Sequence, residues 1–290
     1  MATRGWSLEG RTVLVTGAAR GIGAESARRL AARGAKLSLV GLEPEELERV
    51  ARECGPDAVS FEADVTDWDA LDRAVDATVD RFGGIDVVIA NAGIAPFGTV
   101  ATIDPDAFER TIEVNLLGVW RTVRTALPHV VARQGYILSI ASLAAALHPP
   151  MLAHYAATKA GVEAFSDSLR AEIAHTGTRV GVAYFSFIDT DMVREGLDSP
   201  SANMLRDATP GPFNKTAPLS AAGKAIERGV TQRADKVWAP RWVLPLTWLR
   251  GIVQPLSQRG NRDAIAEAVR LAEADAAATA AQPLASDTHG

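Results

Sequence analysis

The sequence predicts a doubly wound α/β fold, in which helices cover both faces of one parallel sheet. Two observations predict it. Six short apolar runs alternate with helical patterns of about ten residues or more, and a glycine-rich stretch follows the first run. Strands separated by helices imply crossover connections, which join parallel strands. We therefore expect a single α/β domain with a helical C-terminal extension.

The predicted strands are short and apolar throughout, which is typical of strands buried on both faces. They lie at 11–16, 36–40, 59–62, 85–90, 136–140 and 179–185. The predicted helices carry apolar residues at helical spacing. They lie at about 21–32, 44–53, 67–82, 105–133, 155–174 and 220–233.

Composition argues against several classes of protein. A net charge of −5 without a basic stripe argues against a nucleic-acid partner. Cys54 is the only cysteine, so an internal disulfide is excluded and a reducing cytoplasm fits best. The first residues lack the apolar run of a signal peptide, and no run is long enough to span a membrane. No His/Asp/Glu cluster has ligand spacing, so we predict no metal site.

The glycine-rich stretch TGAARGIG lies between the first predicted strand and the first predicted helix. Glycines at such a junction allow a tight turn and let backbone N–H groups approach a phosphate at the positive end of the helix. This context predicts a dinucleotide site and a Rossmann-type fold. The residues assigned to the site are Thr16, Gly17, Arg20, Gly21, Ile22 and Gly23.

The stretch HYAATKAG places Tyr155 and Lys159 four residues apart, on one face of a predicted helix. Taken alone, the pair is either a proton-handling pair or an exposed tyrosine beside a solvated lysine, because so short a motif also arises by chance.

Together with the glycine spacing, this pair resembles the short-chain dehydrogenase/reductase family in its compact branch. Further motifs follow in the family's order along most of the first 192 residues: Asp64-Val65, Asn91-Ala92-Gly93, Asn115, and Ser142 thirteen residues before the tyrosine. Each alone has a structural alternative as a turn, kink or cap residue. Their joint order favours the functional interpretation.

The resemblance implies an NAD(P)-dependent oxidoreductase that interconverts a secondary alcohol and a ketone, acting as a homodimer or homotetramer on a small-molecule substrate. Tyr155 would transfer the proton, and the Lys159 ammonium would lower its pKa and hold the nicotinamide ribose. Ser142 would bind the substrate oxygen, and Asn115 would hold a water in a proton relay. Asp64 and Val65 would contact the adenine.

Residues after the second and sixth strands bear on the cofactor. The family's acidic ribose ligand is replaced by Gly41, and Leu42 stands where NADP-dependent relatives carry a basic residue. Glu43 either grips the ribose or begins the second helix, and Arg20 is within reach of a 2′-phosphate. We favour NAD over NADP. Ile188 and Thr190 would meet the nicotinamide amide.

The pocket wall departs from the family pattern, since Phe185-Ser186 replaces the usual Pro-Gly. Phe185, Phe187 and Met192 either make the pocket apolar or pack in the core. The first alternative predicts a bulky, mostly apolar substrate, such as a steroid-like, terpenoid or acyl-chain compound. Two rival functions stay open: a nucleotide-sensing binding protein without turnover, and a reductase anchored peripherally to a membrane.

The C-terminal third also departs from the family. We expect a domain over 1–260 with a substrate loop at about 190–218, of which 203–218 reads as mobile, and a helix with a flexible tail over 261–290. The final strand of the common tetrameric relatives is not recognisable. Its place is taken by Trp238, Trp242 and Trp248 among prolines and arginines. This segment caps the pocket, forms a subunit interface, rests on a membrane, or packs on its own domain.

Overall fold

Seven parallel strands form one sheet in the order β3-β2-β1-β4-β5-β6-β7. The computed structural model describes residues 5–209 and 211–280. The strands are β1 (Thr12–Thr16), β2 (Lys36–Gly41), β3 (Ala58–Glu62), β4 (Val87–Ala90), β5 (Tyr136–Ile140), β6 (Arg179–Phe185) and β7 (Lys236–Ala239). The strand order reverses between β1 and β4, and the ends of these strands flank the switch point at which α/β sheets bind ligands.

Helices cover both faces of the sheet. Those of the main body are α1 (Gly21–Ala31), α2 (Pro44–Cys54), α3 (Trp68–Phe82), α4 (Pro105–Ile112), α5 (Gly118–Ala132), α6 (Ala144–Leu147) and α7 (Ala153–Ile173). The C-terminal ones are α8 (Asp191–Leu197), α9 (Pro200–Ala208), α10 (Leu219–Gln232), α11 (Val243–Trp248), α12 (Arg250–Gly260) and α13 (Arg262–Ala280). Within the described ranges, no helix combines the length and apolarity that crossing a bilayer requires.

The two faces of the sheet have separate apolar cores. In β1, Val13 and Val15 face the core formed with α1, α2 and α10, whereas Leu14 faces the core formed with α3, α5 and α7. This alternation follows from the two-residue period of a strand. The architecture confirms the predicted doubly wound parallel sheet.

A seventh strand corrects the sequence prediction. Lys236–Ala239 lies parallel to β6, with Val237 beside Ala183, in the segment that showed no recognisable final strand. The four residues contain no long apolar run and precede Pro240. Pairing with β6, rather than the local pattern, makes them a strand.

The segment predicted as a mobile loop is partly helical. Pro200–Ala208 forms α9, whose first turn is capped by Ser199 Oγ accepting from the Ala202 N–H at 3.2 Å. This helix packs against α13, and Ala202 and Ala268 are both buried. A partner distant in sequence therefore orders it. The predicted tail is helical through Ala280, and its remainder, 281–290, lies outside the described residues.

Gly181 in β6 holds the β5–β6–β7 edge together by leaving room for Tyr136. The Tyr136 hydroxyl crosses over to donate to the Ala234 carbonyl at 2.7 Å, just before β7. A Cβ atom at position 181 would overlap both the Tyr136 hydroxyl and the Ala234 carbonyl. This close approach requires glycine.

We predict that Gly181→Ala lowers the free energy of unfolding by about 1–3 kcal/mol, because a buried contact is overpacked. Urea unfolding followed by circular dichroism measures it. The matched control is Gly196→Ala in α8, where a Cβ would meet no atom within 4 Å and helix propensity rises. Equal stability of the two variants would contradict the prediction.

Candidate active site

The predicted site residues meet at one edge of the sheet. Thr16 ends β1, Asn91 follows β4, Ser142 follows β5 and Ile188 follows β6. Because all strands are parallel, these carboxyl ends lie side by side. The sequence placed the residues on separate segments, and the sheet order brings the segments together.

A threonine–asparagine pair ties the glycine loop to the end of β4. The Asn91 side chain donates from Nδ2 to the carbonyls of Thr16 at 3.0 Å and Gly17 at 3.1 Å. In return, Thr16 Oγ1 accepts from the backbone N–H groups of Asn91 at 3.0 Å and Ala92 at 3.3 Å. These four bonds hold the loop rigidly across the switch point.

The glycine loop has the geometry of a phosphate cradle. Gly17 has φ +63°, and a Cβ at Gly23 would overlap the Gly17 carbonyl, so α1 begins in direct contact with the loop. A Cβ at Gly21 would lie 3.5 Å from the Thr190 methyl group. Among the described residues no side chain caps the α1 N-terminus, whose N-cap is Arg20. The positive end of α1 thus fits a dinucleotide phosphate.

An ion pair occupies the region after β2 where the family binds ribose. Arg20 Nη2 and Glu43 Oε1 are 2.8 Å apart, and both side chains are about half exposed. Leu42 beside them is exposed, and Gly41 is buried. Ile22, two residues after the arginine, packs against the core. The sequence offered both charged residues as alternatives, but not their pairing.

Asp64 is held in place by hydrogen bonds and an ion pair. Its carboxylate accepts from the Thr66 N–H at 2.9 Å and pairs with Arg110 Nη2 at 2.6 Å. Burial raises the pKa of Asp64, but these bonds from Thr66 and Arg110 outweigh burial, and its pKa is lowered. Val65 is buried against Gly118 at the start of α5.

Asn115 lies in a π-helical turn, Glu113–Leu117, that joins α4 to α5. Its side chain is fully buried and clamps one backbone position, donating to the Ile94 carbonyl and accepting from the Ile94 N–H, both at 2.8 Å. Its Nδ2 also lies 3.4 Å from Thr158 Oγ1. Such turns recur at functional sites, and this one interrupts the continuous helix predicted over 105–133.

Lys159 is a buried cation held by a backbone carbonyl. Its Nζ donates to the Ile140 carbonyl at 2.9 Å, and a Cβ at Gly93 would lie 3.5 Å from that Nζ. Burial lowers the pKa of Lys159 from its usual 10.5 to about 8. Ile140 was not assigned to the site, because a carbonyl partner leaves no trace in the side-chain pattern.

Tyr155 and Ser142 form the polar centre of the site. Burial raises the pKa of Tyr155 above its usual 10, and a hydrogen bond with Ser142 lowers it by less. The serine hydroxyl also contacts the Phe185 carbonyl at 3.3 Å. In the protein alone the net direction of the tyrosine pKa is therefore upward, and the lowering expected from Lys159 stays a prediction. Lys159 Nζ lies 5.5 Å from the ring centroid and is engaged by the Ile140 carbonyl.

The apolar wall is only partly as predicted. Phe185 is buried in the core beneath the sheet edge, so it does not face a pocket, because it is still part of β6. Phe187 and Met192 follow β6 and are exposed. Thr190, which lies between them in the sequence, is next to Gly21 of the glycine loop. His154, in the first turn of α7, is buried and contacts the Pro96 carbonyl at 2.8 Å through Nε2.

A cleft of about 440 Å³ lies on a different side of α7. The 148–151 loop and the Ala153, Ala156 and Ala160 side of the helix line it. Neither Tyr155 nor Lys159 belongs to the lining, so this cleft does not contain the polar centre.

Comparison with known proteins finds relatives of similar sequence. The chain is 32% identical over 259 residues to 11-beta-hydroxysteroid dehydrogenase 1A of Arabidopsis thaliana, covering 86% of this chain and 73% of that protein. It is 35% identical over 205 residues to (-)-trans-carveol dehydrogenase of Rhodococcus erythropolis, covering 64% of this chain and 74% of the relative.

Solved structures show the same architecture. A 3-ketoacyl-(acyl-carrier-protein) reductase from Brucella melitensis, complexed with NADH, matches with a TM-score of 0.71 and 29% identity over 81% of this chain and 99% of that chain. Levodione reductase matches with a TM-score of 0.73 and 27% identity over 80% and 96%. The short chain dehydrogenase family model matches residues 11–200. The chain therefore belongs to the short-chain dehydrogenase/reductase family of oxidoreductases.

Proposed function

We propose that this protein interconverts a secondary alcohol and a ketone, with Tyr155 as proton donor and acceptor. The observation that carries the proposal is the buried Lys159 Nζ, 5.5 Å from the centroid of the Tyr155 ring, at the sheet edge where Ser142 follows β5. The phosphate cradle on the same sheet edge provides for the cofactor. A bound nicotinamide supplies or accepts the hydride.

In the reducing direction, Tyr155 donates its phenolic proton to the substrate oxygen. Its raised pKa keeps the phenol protonated near neutral pH, which is the form this step requires. Ser142 donates a hydrogen bond to the same oxygen and stabilises the developing negative charge. In the oxidising direction Tyr155 accepts the proton that leaves the substrate hydroxyl.

Lys159 and Asn115 support the proton transfer. Once Tyr155 has lost its proton, the nearby Lys159 ammonium stabilises the phenolate. Asn115 holds the Ile94 segment in position against α7, and we infer that it also holds a water that relays protons to Lys159. Both residues are buried, so their geometry changes little during the reaction.

The substrate we propose is bulky and mostly apolar. Phe187 and Met192 are exposed near the cofactor-binding end of β6, where they offer an apolar surface to a ligand. Relatives named for a hydroxysteroid, carveol and a 3-oxoacyl chain have substrates of this class. Steroid-like, terpenoid and acyl-chain ketones are therefore the first compounds to test.

We predict that Tyr155→Phe lowers kcat for ketone reduction by about 10²–10⁴-fold while cofactor affinity is retained, because only the proton donor is lost. Absorbance of the reduced nicotinamide, measured with a panel of such ketones, reports turnover. Tyr184→Phe removes the same hydroxyl from β6 and serves as the control. A protein that only senses nucleotide would bind cofactor tightly, show no turnover with the panel, and respond to neither substitution.

The buried lysine predicts a specific pH dependence of stability. The folded pKa of Lys159, about 8, lies below its usual 10.5. Between these values the unfolded chain binds more protons than the folded chain, so this group makes the free energy of unfolding rise with pH. Well below pH 8 the Lys159 side chain is charged in both the folded and the unfolded chain, so it causes no change of the free energy of unfolding with pH there.

We predict that Lys159→Met removes this rise. The difference in free energy of unfolding between the wild type and the Lys159→Met variant changes by about 2 kcal/mol from pH 7 to about pH 9.5, in favour of the wild type. Urea unfolding at both pH values measures it. Lys224→Met, at an exposed site in α10, is the control and keeps a constant difference. A constant difference for the Lys159 variant as well would refute the proposed burial effect.

For the cofactor, we infer NAD rather than NADP. The Glu43 carboxylate engages Arg20 at 2.8 Å and would repel a 2′-phosphate in the same region. Leu42 offers no cation. The NADH complex of the Brucella relative is compatible with this choice.

We predict that Glu43→Gln shifts the ratio of NADP to NAD affinity about fivefold to tenfold towards NADP, since a repulsive charge is lost and Arg20 is released. Fluorescence titration with each reduced cofactor measures both dissociation constants. Glu45→Gln removes the same charge from an exposed position two residues further along the chain, and its ratio stays that of the wild type. A strong NADP preference of the wild-type protein would overturn the inference.

A further inference from the structure

The tryptophan-rich segment divides into a buried and an exposed half. Trp238 and Trp242 are partly buried and pack against the core beside α5 and α7. Trp248, at the end of α11, is 71% exposed. Packing on the protein's own domain therefore accounts for the first two tryptophans and leaves the third unexplained.

Four exposed apolar side chains form a stripe along α11 and α12. Trp248, Leu249, Ile252 and Leu256 are 71%, 51%, 62% and 61% exposed. Ile252 and Leu256 are four residues apart and lie on one side of α12. Leu249 lies three residues before Ile252, and Trp248 ends α11. We call these four residues the α12 stripe. Exposed large apolar residues scattered singly are ordinary, but a contiguous set indicates an interaction surface.

Helix α12 also lacks the cover that normally stabilises a helix. None of its eleven residues, all of which are described, is buried. Helices in proteins gain most of their stability by packing an amphipathic face. An ion pair of 2.9 Å between Arg250 of α12 and the buried Glu163 of α7 connects the helix to the rest of the domain. The apolar side thus remains available to a partner.

The charge around the stripe favours an anionic partner. Between Lys236 and Arg262 the sequence has five cationic residues and no acidic residue, although the whole chain has a net charge of −5. Arg241, Arg259 and Arg262 are exposed, and no carboxylate of the described residues forms an ion pair with them. Apolar residues beside unpaired arginines are typical of helices that lie on membranes.

A second copy of the chain fits this surface less well. A two-fold dimer would bring two copies of the same arginine-bearing patch together. Four side chains also offer far less area than the roughly 800 Å² per partner that stable dimers bury. We propose that the α12 stripe docks on an anionic lipid surface, with Trp248 at the headgroup level and Arg241 and Arg259 facing the lipid phosphates. This proposal is independent of the reaction that the protein catalyses.

Vesicle flotation of the full chain tests the proposal without an activity assay. We expect binding to phosphatidylcholine vesicles that contain phosphatidylserine, weaker binding to phosphatidylcholine alone, and release at high salt. The double variant Ile252→Ser/Leu256→Ser loses at least about tenfold in affinity. The double variant Arg241→Gln/Arg259→Gln loses roughly fivefold per arginine on anionic vesicles only.

Matched controls are Val100→Ser and Arg52→Gln, which change exposed residues outside the C-terminal segment and leave vesicle binding unchanged. Thermal unfolding confirms that each variant is folded. Absence of wild-type binding to anionic vesicles, or equal binding by all variants, overturns the proposal. A fall in oligomeric state on light scattering for the Ile252/Leu256 variant, without vesicle binding by the wild type, assigns the stripe to a second copy instead and also overturns it.

Discussion

The buried ammonium of Lys159 is the interaction on which the site depends. Removing a charge from water costs free energy unless polar groups replace the lost hydration, and the Ile140 carbonyl at 2.9 Å supplies one such group. That bond fastens α7 to the end of β5. Gly93 leaves room for the Asn115 amide, whose oxygen would lie 3.2 Å from a Cβ at that position, and Asn115 clamps the backbone next to it. The sheet edge, the π-helical turn and α7 are therefore arranged around a single charge.

The electrostatics of the protein alone favour the proposed proton transfer from Tyr155 in the reducing direction and oppose it in the oxidising direction. Burial raises the tyrosine pKa and lowers the lysine pKa, because each charged form loses hydration. Tyr155 is consequently ready to donate a proton, whereas accepting one requires additional positive charge near the ring. This asymmetry comes from burial and would be missed by considering only the one-turn spacing between Tyr155 and Lys159.

Much of the fold was predictable, since apolar runs alternating with helical patterns permit few architectures. The glycine loop was predictable because backbone geometry requires glycine at positions 17 and 23. The sequence failed at β7 and at α9, and it left Phe185 open between the pocket and the core. At β7 and α9 a distant partner decides the conformation: β6 pairs with β7, and α13 covers α9. Local propensity carries no information about such partners.

The sequence by itself determined the parallel α/β architecture, the glycine-rich loop between β1 and α1, and the order of Asn115, Ser142, Tyr155 and Lys159. These features follow from local periodicity and from motifs with fixed spacing. Only the tertiary structure decided the pairing of Arg20 with Glu43, the carbonyl that holds the lysine, and the direction of the tyrosine pKa. It also decided which tryptophans are buried. All of these depend on groups brought close from separate segments, and proximity in space is created by packing.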